Sequence, residues 1–227
     1  MPHCMAESKM ASQGTQLFCT ACGKRWNWNE DGTLQALEGE TEFAHIPDWF
    51  QWEREQVRKQ IAAGEYSFSD EVDVYSMPRC WKFEHLGQAK LTHDPERGFV
   101  LEGSYNGSPY HIHRTPKQTN SLHIEYDYCY IKPFDCVDIS TENDSFYCYP
   151  KQENVVTKLA FATEELYQLH TARKAPPKEP VHTPLTPITR GTLLKEVCLS
   201  VFQKVYNFKK QSDNVLFLLT KKSTKRR

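Results

Sequence analysis

Two cysteines separated by two residues stand near the start of the chain, and they restrict what its first segment can form. In the stretch CTACGK, Cys19 and Cys22 are followed by Gly23, which allows the backbone to turn sharply. The chain opens with MPHC, so Cys4 supplies a further thiol on the N-terminal side of this pair. The spacing is typical of a zinc ribbon, in which two such knuckles hold one ion.

The first knuckle of this predicted site lacks one cysteine, because Met1 stands where it would be expected. His3 is a candidate for the fourth ligand, although adjacent residues in a tight turn seldom face the same ion. Three thiolates bind Zn²⁺ more weakly than four protein ligands do. Two interpretations stay open: an incomplete Zn²⁺ site, or a segment that has lost its metal. The candidate ligands are Cys4, Cys19, Cys22 and His3.

The first third of the chain combines a strand pattern with a helix pattern. Residues 1–34 alternate aromatic and polar side chains, and the stretch EDGT favours a hairpin turn, as in a small antiparallel ribbon. A helix is predicted near residues 49–62, with Asp48 as its N-cap and Gly64 as its stop. Residues 35–64 therefore form a linker and a helix.

The middle of the chain predicts a β-rich domain closed by a helix. Six or seven short runs with strand signals, separated by turn residues, lie within residues 65–150. A helical pattern follows, and its apolar positions share one face. Over residues 65–170 this order predicts an α+β chain with a pleckstrin-homology-like antiparallel β-barrel, and a β-sandwich with a packing helix is the alternative. The apolar positions of the helix are Val155, Leu159, Ala162, Leu166 and Leu169.

The charge is divided unequally along the chain. Residues 171–227 carry 13 basic and 3 acidic residues, which leaves 15 basic and 26 acidic residues in positions 1–170. An acidic body repels nucleic acid and anionic lipid, whereas a basic tail attracts both. Five prolines within 171–191 predict an extended linker, and residues 192–227 have the pattern of an amphipathic helix with a basic end.

The basic tail is a candidate membrane anchor, and a solvated tail or a helix that packs on a protein partner is the alternative. Arg114 and Lys117, in the stretch HIHRTPKQ, are candidate contacts to an anion or a lipid headgroup. The corresponding candidates in the tail are Lys221, Lys222, Lys225, Arg226 and Arg227.

A catalytic site is not indicated by the motifs of the sequence. His93 and Asp94 are candidates for a general acid–base pair, but neighbours on a strand point to opposite faces. His111 and His113 share one face of a predicted strand, where alternation alone accounts for polar residues. The remaining cysteines are scattered, which favours reduced thiols and a cytoplasmic location. Neither a transmembrane run nor a signal peptide is evident.

The stretch WFQWEREQVRKQI, preceded by LFCTACGKRW and followed after the strands by LAFATEELYQLH, resembles the C-terminal region of 1-acyl-sn-glycerol-3-phosphate acyltransferases from clostridia-like bacteria. In that family an acyltransferase domain precedes a zinc ribbon, a helix and a β-rich segment. The resemblance covers residues 1–170. It implies that the chain is the back half of such a protein, with Met1 in place of a family cysteine. The family's His-x-x-x-x-Asp and Pro-Glu-Gly-Thr motifs do not occur here.

These observations predict a non-catalytic accessory module for glycerophospholipid synthesis that binds a protein partner or an anionic membrane surface. The expected location is cytoplasmic, with peripheral attachment at the inner membrane face as an extension. The first alternative is acyl transfer to a lysophospholipid by the chain itself. The second is a nucleic-acid-binding zinc ribbon, which the acidic body disfavours and which would show a steep loss of affinity with salt.

Overall fold

The computed structural model of the protein describes residues 1–78, 82–128 and 131–172. These residues form an α+β structure with two antiparallel sheets and two helices, as the sequence predicts. The predicted basic tail, residues 192–227, lies outside the described residues. So does the predicted linker 171–191 apart from its first two residues, which belong to the last helix.

The N-terminal segment forms a small sheet in the order β1-β2-β3-β4, and every neighbouring pair is antiparallel. The predicted ribbon strands are therefore confirmed, although the last one extends past residue 34. The turn before β4 uses Gly32 at φ 83°, and the Asp31 carboxylate accepts a hydrogen bond from the Thr33 amide at 2.9 Å. The strands are β1 (Met10–Gln13), β2 (Gln16–Cys19), β3 (Arg25–Trp28) and β4 (Leu34–Ala36).

Helix α1 (Ile46–Ala63) begins earlier than the sequence pattern predicts. Asp48 is not the N-cap: that position belongs to His45, and Asp48 lies in the first turn. The reason is Pro47, whose fixed φ and missing N–H suit the first helical positions. The predicted stop is confirmed, because Gly64 adopts φ 72° and its N–H donates to carbonyl oxygens of the last helical turn.

The second sheet has seven antiparallel strands in the order β8-β7-β6-β5-β11-β10-β9. The sequence predicts six or seven strands in this region, so the predicted number is confirmed. Within the part of the chain that the structure describes, β8 and β9 are the two ends of the ladder. The strands are β5 (Phe68–Ser76), β6 (Glu84–Asp94), β7 (Gly98–Tyr105), β8 (Ser108–Arg114), β9 (His123–Glu125), β10 (Cys136–Ser140) and β11 (Ser145–Pro150).

Helix α2 (Val156–Ala172) packs on the seven-stranded sheet and on α1. Val156 and Leu159 join the buried core of the sheet, whereas Phe161 and Leu166 pack against the side of α1. The apolar face predicted for this helix is too long, because Leu169 is 47% exposed. Neither α1 nor α2 is long and apolar enough to cross a membrane.

Gly98 occupies a position where a side chain cannot fit. Its φ is +76°, and a Cβ there would lie 2.3 Å from the carbonyl oxygen of Arg114. Gly107 has a similar φ of +78° with nothing within 4 Å of its would-be Cβ. The left-handed backbone alone costs about 1–2 kcal/mol for an L-residue, and overpacking adds about 1–3 kcal/mol.

We therefore expect Gly98→Ala to lower the free energy of unfolding by about 3 kcal/mol and Gly107→Ala by about 1 kcal/mol. Urea denaturation of the two variants measures the difference. Equal losses in the two variants would show that the contact between position 98 and the β8 backbone is absent.

Candidate metal centre

Three thiols meet at one end of the N-terminal sheet. The Sγ atoms of Cys4, Cys19 and Cys22 all lie within 4.8 Å of one another, and those of Cys4 and Cys19 are 3.8 Å apart. Cys19 is buried and Cys22 is exposed. Three thiol ligands at this separation could hold a metal ion, so the grouping predicted from the spacing of the cysteines is confirmed.

The backbone around Cys19 forms the knuckle that the stretch CTACGK predicts. Cys19 ends β2, and its carbonyl oxygen accepts a hydrogen bond from the Gly23 N–H at 2.9 Å. Gly23 has φ 77°, and the Cys19 N–H donates to the Lys24 carbonyl at 3.0 Å. This closed turn brings the Cys22 thiol back toward that of Cys19, which is what ligands separated by two residues require.

The third thiol is brought in by a turn at the N-terminus. The Met5 N–H donates to the Met1 carbonyl at 2.9 Å, and Met5 has a left-handed backbone with φ 58°. Glu7 then fixes the segment to the rest of the molecule, because its carboxylate accepts hydrogen bonds from Gln60 at 2.5 Å and from Lys158 at 2.6 Å. Helices α1 and α2 therefore both hold the segment that carries Cys4.

The packing beneath the thiols is aromatic and tight. Cys19 belongs to a buried cluster with Trp26, Leu34 and Trp49, and the two indole rings meet edge to face at 5.2 Å. Trp26 is fully buried. A ribbon of this size buries little apolar surface, so the cluster joins it to α1 and gives the knuckle a rigid base.

The ionisation of the cysteines is uneven. Burial acts to raise the pKa of Cys19, but hydrogen bonds from the amides of Cys22 and Ala21 outweigh it and hold that pKa below its ordinary value. The Lys24 amide acts to lower the pKa of Cys22. Burial and the thiols of Cys4 and Cys19 outweigh that amide, so the pKa of Cys22 is raised. A bound cation would favour the thiolate form.

His3 lies apart from the group of three thiols. Its Nδ1 is 3.4 Å from the Glu42 carboxylate, and its side chain is 56% exposed. Glu42 also accepts from Lys24 Nζ at 2.5 Å, and the same ammonium donates to the Glu40 carbonyl at 2.7 Å. Burial acts to raise the pKa of Glu42, but the bond from Lys24 outweighs it and the pKa is lowered. The role of His3 as a metal ligand stays a prediction.

Arg114 is the last residue of β8, and Lys117 lies in the loop that follows the strand. The Arg114 guanidinium donates to the Gln118 carbonyl at 3.2 Å, so it braces that loop, whereas Lys117 is exposed. The five tail residues predicted to contact an anion or a lipid, residues 221, 222, 225, 226 and 227, lie outside the described residues.

His93 and Asp94 point to different surroundings, as expected for neighbours on a strand. His93 is 1% exposed. Its Nδ1 shares a hydrogen bond of 2.7 Å with the Tyr66 hydroxyl, and its ring stacks on the Phe99 ring with the centroids 3.9 Å apart. Asp94 instead accepts from the Arg97 side chain at 2.8 Å in the β6–β7 turn. The two residues do not form a dyad, and His93 is a core residue.

Burial lowers the pKa of His93 to about 3. Below pH 6.5 the unfolded chain binds a proton at His93 that the folded chain does not bind. Protonation therefore favours unfolding, and the free energy of unfolding falls as the pH drops from 6.5 toward 3.

We expect the His93 ring protons to show no titration between pH 5 and pH 8 in NMR spectra. A chemical-shift change centred in that range would contradict the burial of this ring.

Two further thiols lie in the seven-stranded sheet, and burial raises the pKa of both. For Cys136 it rises to about 12, and for the fully buried Cys148 it is well above the ordinary value. Such thiols are unreactive structural residues. Cys80, Cys129 and Cys198 lie outside the described residues.

Comparison with family models, with curated proteins and with solved structures found no match to this chain.

Sequence reasoning found the three thiols but missed the residues that hold them in place. Glu7, Lys24 and Glu42 are charged residues in turns or segments without periodicity, and their partners are distant in sequence. The knuckle itself is a local pattern and can be read from the spacing. The contacts that position Cys4 depend on tertiary packing, for which the sequence carries no local signal.

Proposed function

We propose that the protein is a non-catalytic binding module whose N-terminal ribbon is stabilised by Zn²⁺ bound to Cys4, Cys19 and Cys22. The observation that carries this proposal is the convergence of the three Sγ atoms within 4.8 Å. The knuckle hydrogen bonds and the buried base under Cys19 support a structural role, because such sites are held by rigid turns.

Zinc is the metal that this set of donors favours. Thiolate is a soft ligand that selects Zn²⁺, Cu⁺ or iron over Ca²⁺ and Mg²⁺, and closed tetrahedral sites with cysteine are the usual structural zinc sites. A water molecule or an added protein ligand completes the coordination. His3 is the candidate nearest in sequence, and its pairing with Glu42 would have to be released first.

The seven-stranded domain supports a binding role for the rest of the module. A run of antiparallel strands followed by one helix on the core is the arrangement of pleckstrin-homology-like domains, which we propose as the architecture here. Such a domain would bind a protein partner or an anionic membrane surface. The resemblance to acyltransferases of glycerophospholipid synthesis supports an accessory role beside such an enzyme.

The metal is tested by reconstitution with Co²⁺ in place of Zn²⁺, because thiolate-to-cobalt charge transfer reports sulfur ligands directly. We expect these bands to form at one equivalent and to disappear on addition of Zn²⁺. A His3→Ala variant should keep the charge-transfer bands, because they arise from the three sulfur ligands. Cobalt bands that are missing in the wild type would refute a thiolate metal site.

The absence of catalysis is tested by a lysophospholipid acyltransferase assay on the whole chain in the presence of membranes. No turnover is expected, because His93 is buried against Phe99 and shares its hydrogen bond with Tyr66. Turnover that His93→Ala abolishes, in a variant shown to be folded by circular dichroism, would contradict the proposal.

A further inference from the structure

A cavity of about 420 Å³ lies between the N-terminal segment and helices α1 and α2. Its volume falls within the range of small-molecule sites, about 300–1,000 Å³. The apolar part of the lining comes from three separate segments of the chain. The N-terminal segment contributes Met1 and Met5, α1 contributes Trp52 and Val57, and α2 contributes Phe161.

The apolar floor is formed by side chains that are already packed in place. Val57 and Phe161 are buried where α1 meets α2, and Met1 is 7% exposed. Met5 stands at the mouth and is 59% exposed, on a backbone with φ 58°. An exposed apolar side chain held on a left-handed, non-glycine backbone is a strained arrangement of the kind found at ligand sites. Methionine also adapts easily to the shape of a ligand.

The polar part of the lining carries almost no net charge. Three acidic and two basic residues contribute, and Glu7 and Lys158 neutralise each other through a contact of 2.6 Å. Side-chain amides of Gln56, Gln60 and Asn154 complete the rim. Such a surface favours an uncharged molecule with an apolar body and one hydrogen-bonding end, since a charged molecule would find little excess of the opposite charge in the lining.

The wall that closes this cavity is the segment that carries Cys4. Met5 follows Cys4 directly, and the Glu7 carboxylate is bonded to both helices. The Ser8 hydroxyl also donates to the Asn154 carbonyl at 3.3 Å. A metal bound by Cys4, Cys19 and Cys22 would hold this segment, residues 1–8, at Cys4. Glu7 holds the same segment to the two helices.

We propose that this cavity binds a small uncharged molecule with an apolar body and a hydrogen-bonding end, and that metal binding at the three cysteines strengthens that binding by ordering residues 1–8. The cavity stands on its own geometry, whereas the metal dependence rests on the proposed function. Because linkage is reciprocal, the bound molecule also strengthens metal binding by the same factor.

The test uses the whole zinc-loaded chain and the neutral fluorescent probe N-phenyl-1-naphthylamine. Ala63 lines the cavity and Ala62 does not, although both are exposed residues in the last turn of α1. We expect saturable binding that Ala63→Trp weakens by at least about tenfold, while Ala62→Trp changes the dissociation constant by no more than about twofold. Equal effects of the two substitutions, or binding that does not saturate, would show that the probe does not bind in this cavity.

The metal dependence is tested by repeating the titration after zinc removal with EDTA, with zinc content measured on the same samples. Weaker probe binding in the zinc-free protein is expected, together with tighter zinc binding, measured by competition with a chromophoric chelator, when the probe is present. Equal probe affinity with and without zinc would overturn the linkage. If the chain holds no zinc at all, the proposed function fails, and the comparison of the two alanine positions still decides whether the cavity binds.

Discussion

Replacing Cys19 by serine is expected to remove stoichiometric zinc from the protein. Cys19 is the buried member of the three thiols, and a hydroxyl is a poor substitute for a thiolate ligand. Loss of a residue that merely orients a ligand costs about 10–100-fold in metal affinity, so loss of the ligand itself should cost more than about 100-fold. Competition with a chromophoric zinc chelator measures the change.

A matched control for this prediction is Cys136→Ser, which alters another fully buried cysteine far from the metal centre. This variant should keep the zinc affinity of the wild type. Equal zinc affinity in the Cys19 and Cys136 variants would mean that the thiol cluster does not bind the metal. The thermal unfolding of the N-terminal sheet should also lose its dependence on zinc in the Cys19 variant alone.

Replacing Glu165 by alanine is expected to have the largest effect on the packing of the two helices. Its carboxylate is 7% exposed and accepts from Arg54 Nε at 2.7 Å and from Arg58 Nε at 2.8 Å. Removing one partner of a buried ion pair leaves uncompensated charge and typically costs about 3–5 kcal/mol. Because Arg58 is 47% exposed, we expect a smaller loss of about 2–3 kcal/mol in urea denaturation.

Glu164→Ala is the matched control, since the neighbouring carboxylate contacts Arg54 from a position that is 38% exposed. That substitution should cost about 1 kcal/mol or less. Losses of similar size in the two variants would show that Glu165 is not a buried clamp between α1 and α2.

The same clamp predicts a dependence of stability on acid. Burial acts to raise the pKa of Glu165, but the bonds from Arg58 and Arg54 outweigh it, so the pKa is lowered from its ordinary value of 4.5. The stabilisation is therefore complete above pH 4.5 and is lost as the pH falls through the lower pKa of the folded state. In Glu165→Gln the free energy of unfolding should fall less steeply at acid pH than it does in the wild type.

The elements that could be predicted from the sequence are those with a local pattern. The alternation in VDVYS places Val72 and Val74 inside the seven-stranded sheet, where they are fully buried. The knuckle of Cys19 and Cys22 depends on residue spacing and a glycine turn, so it was found as well. Gly64 ended its helix for the same local reason.

The features that could not be predicted depend on contacts between distant residues. Leu169 follows the apolar period of α2 but stays exposed, because the packing surfaces provided by the sheet and α1 end before it. His93 looks like a catalytic candidate in the sequence, and only the pairing of β6 with β7 places it on Phe99. Glu165 and its two arginines are more than a hundred residues apart.

The candidate metal centre lies at one end of the N-terminal sheet, which has little core of its own. The N-terminal sheet has four strands of three or four residues each, which is too little to bury a large core. The sheet is stabilised by the contact of Trp26 with Trp49 of α1 and, on our proposal, by the metal.

The most direct measurement is the zinc content of the purified whole chain, determined by elemental analysis together with a count of reactive thiols. We expect one zinc ion per chain, and three thiols that become reactive only after the metal is removed. A chain that is folded by circular dichroism, contains no zinc after exposure to excess Zn²⁺ and leaves those three thiols reactive would contradict this expectation.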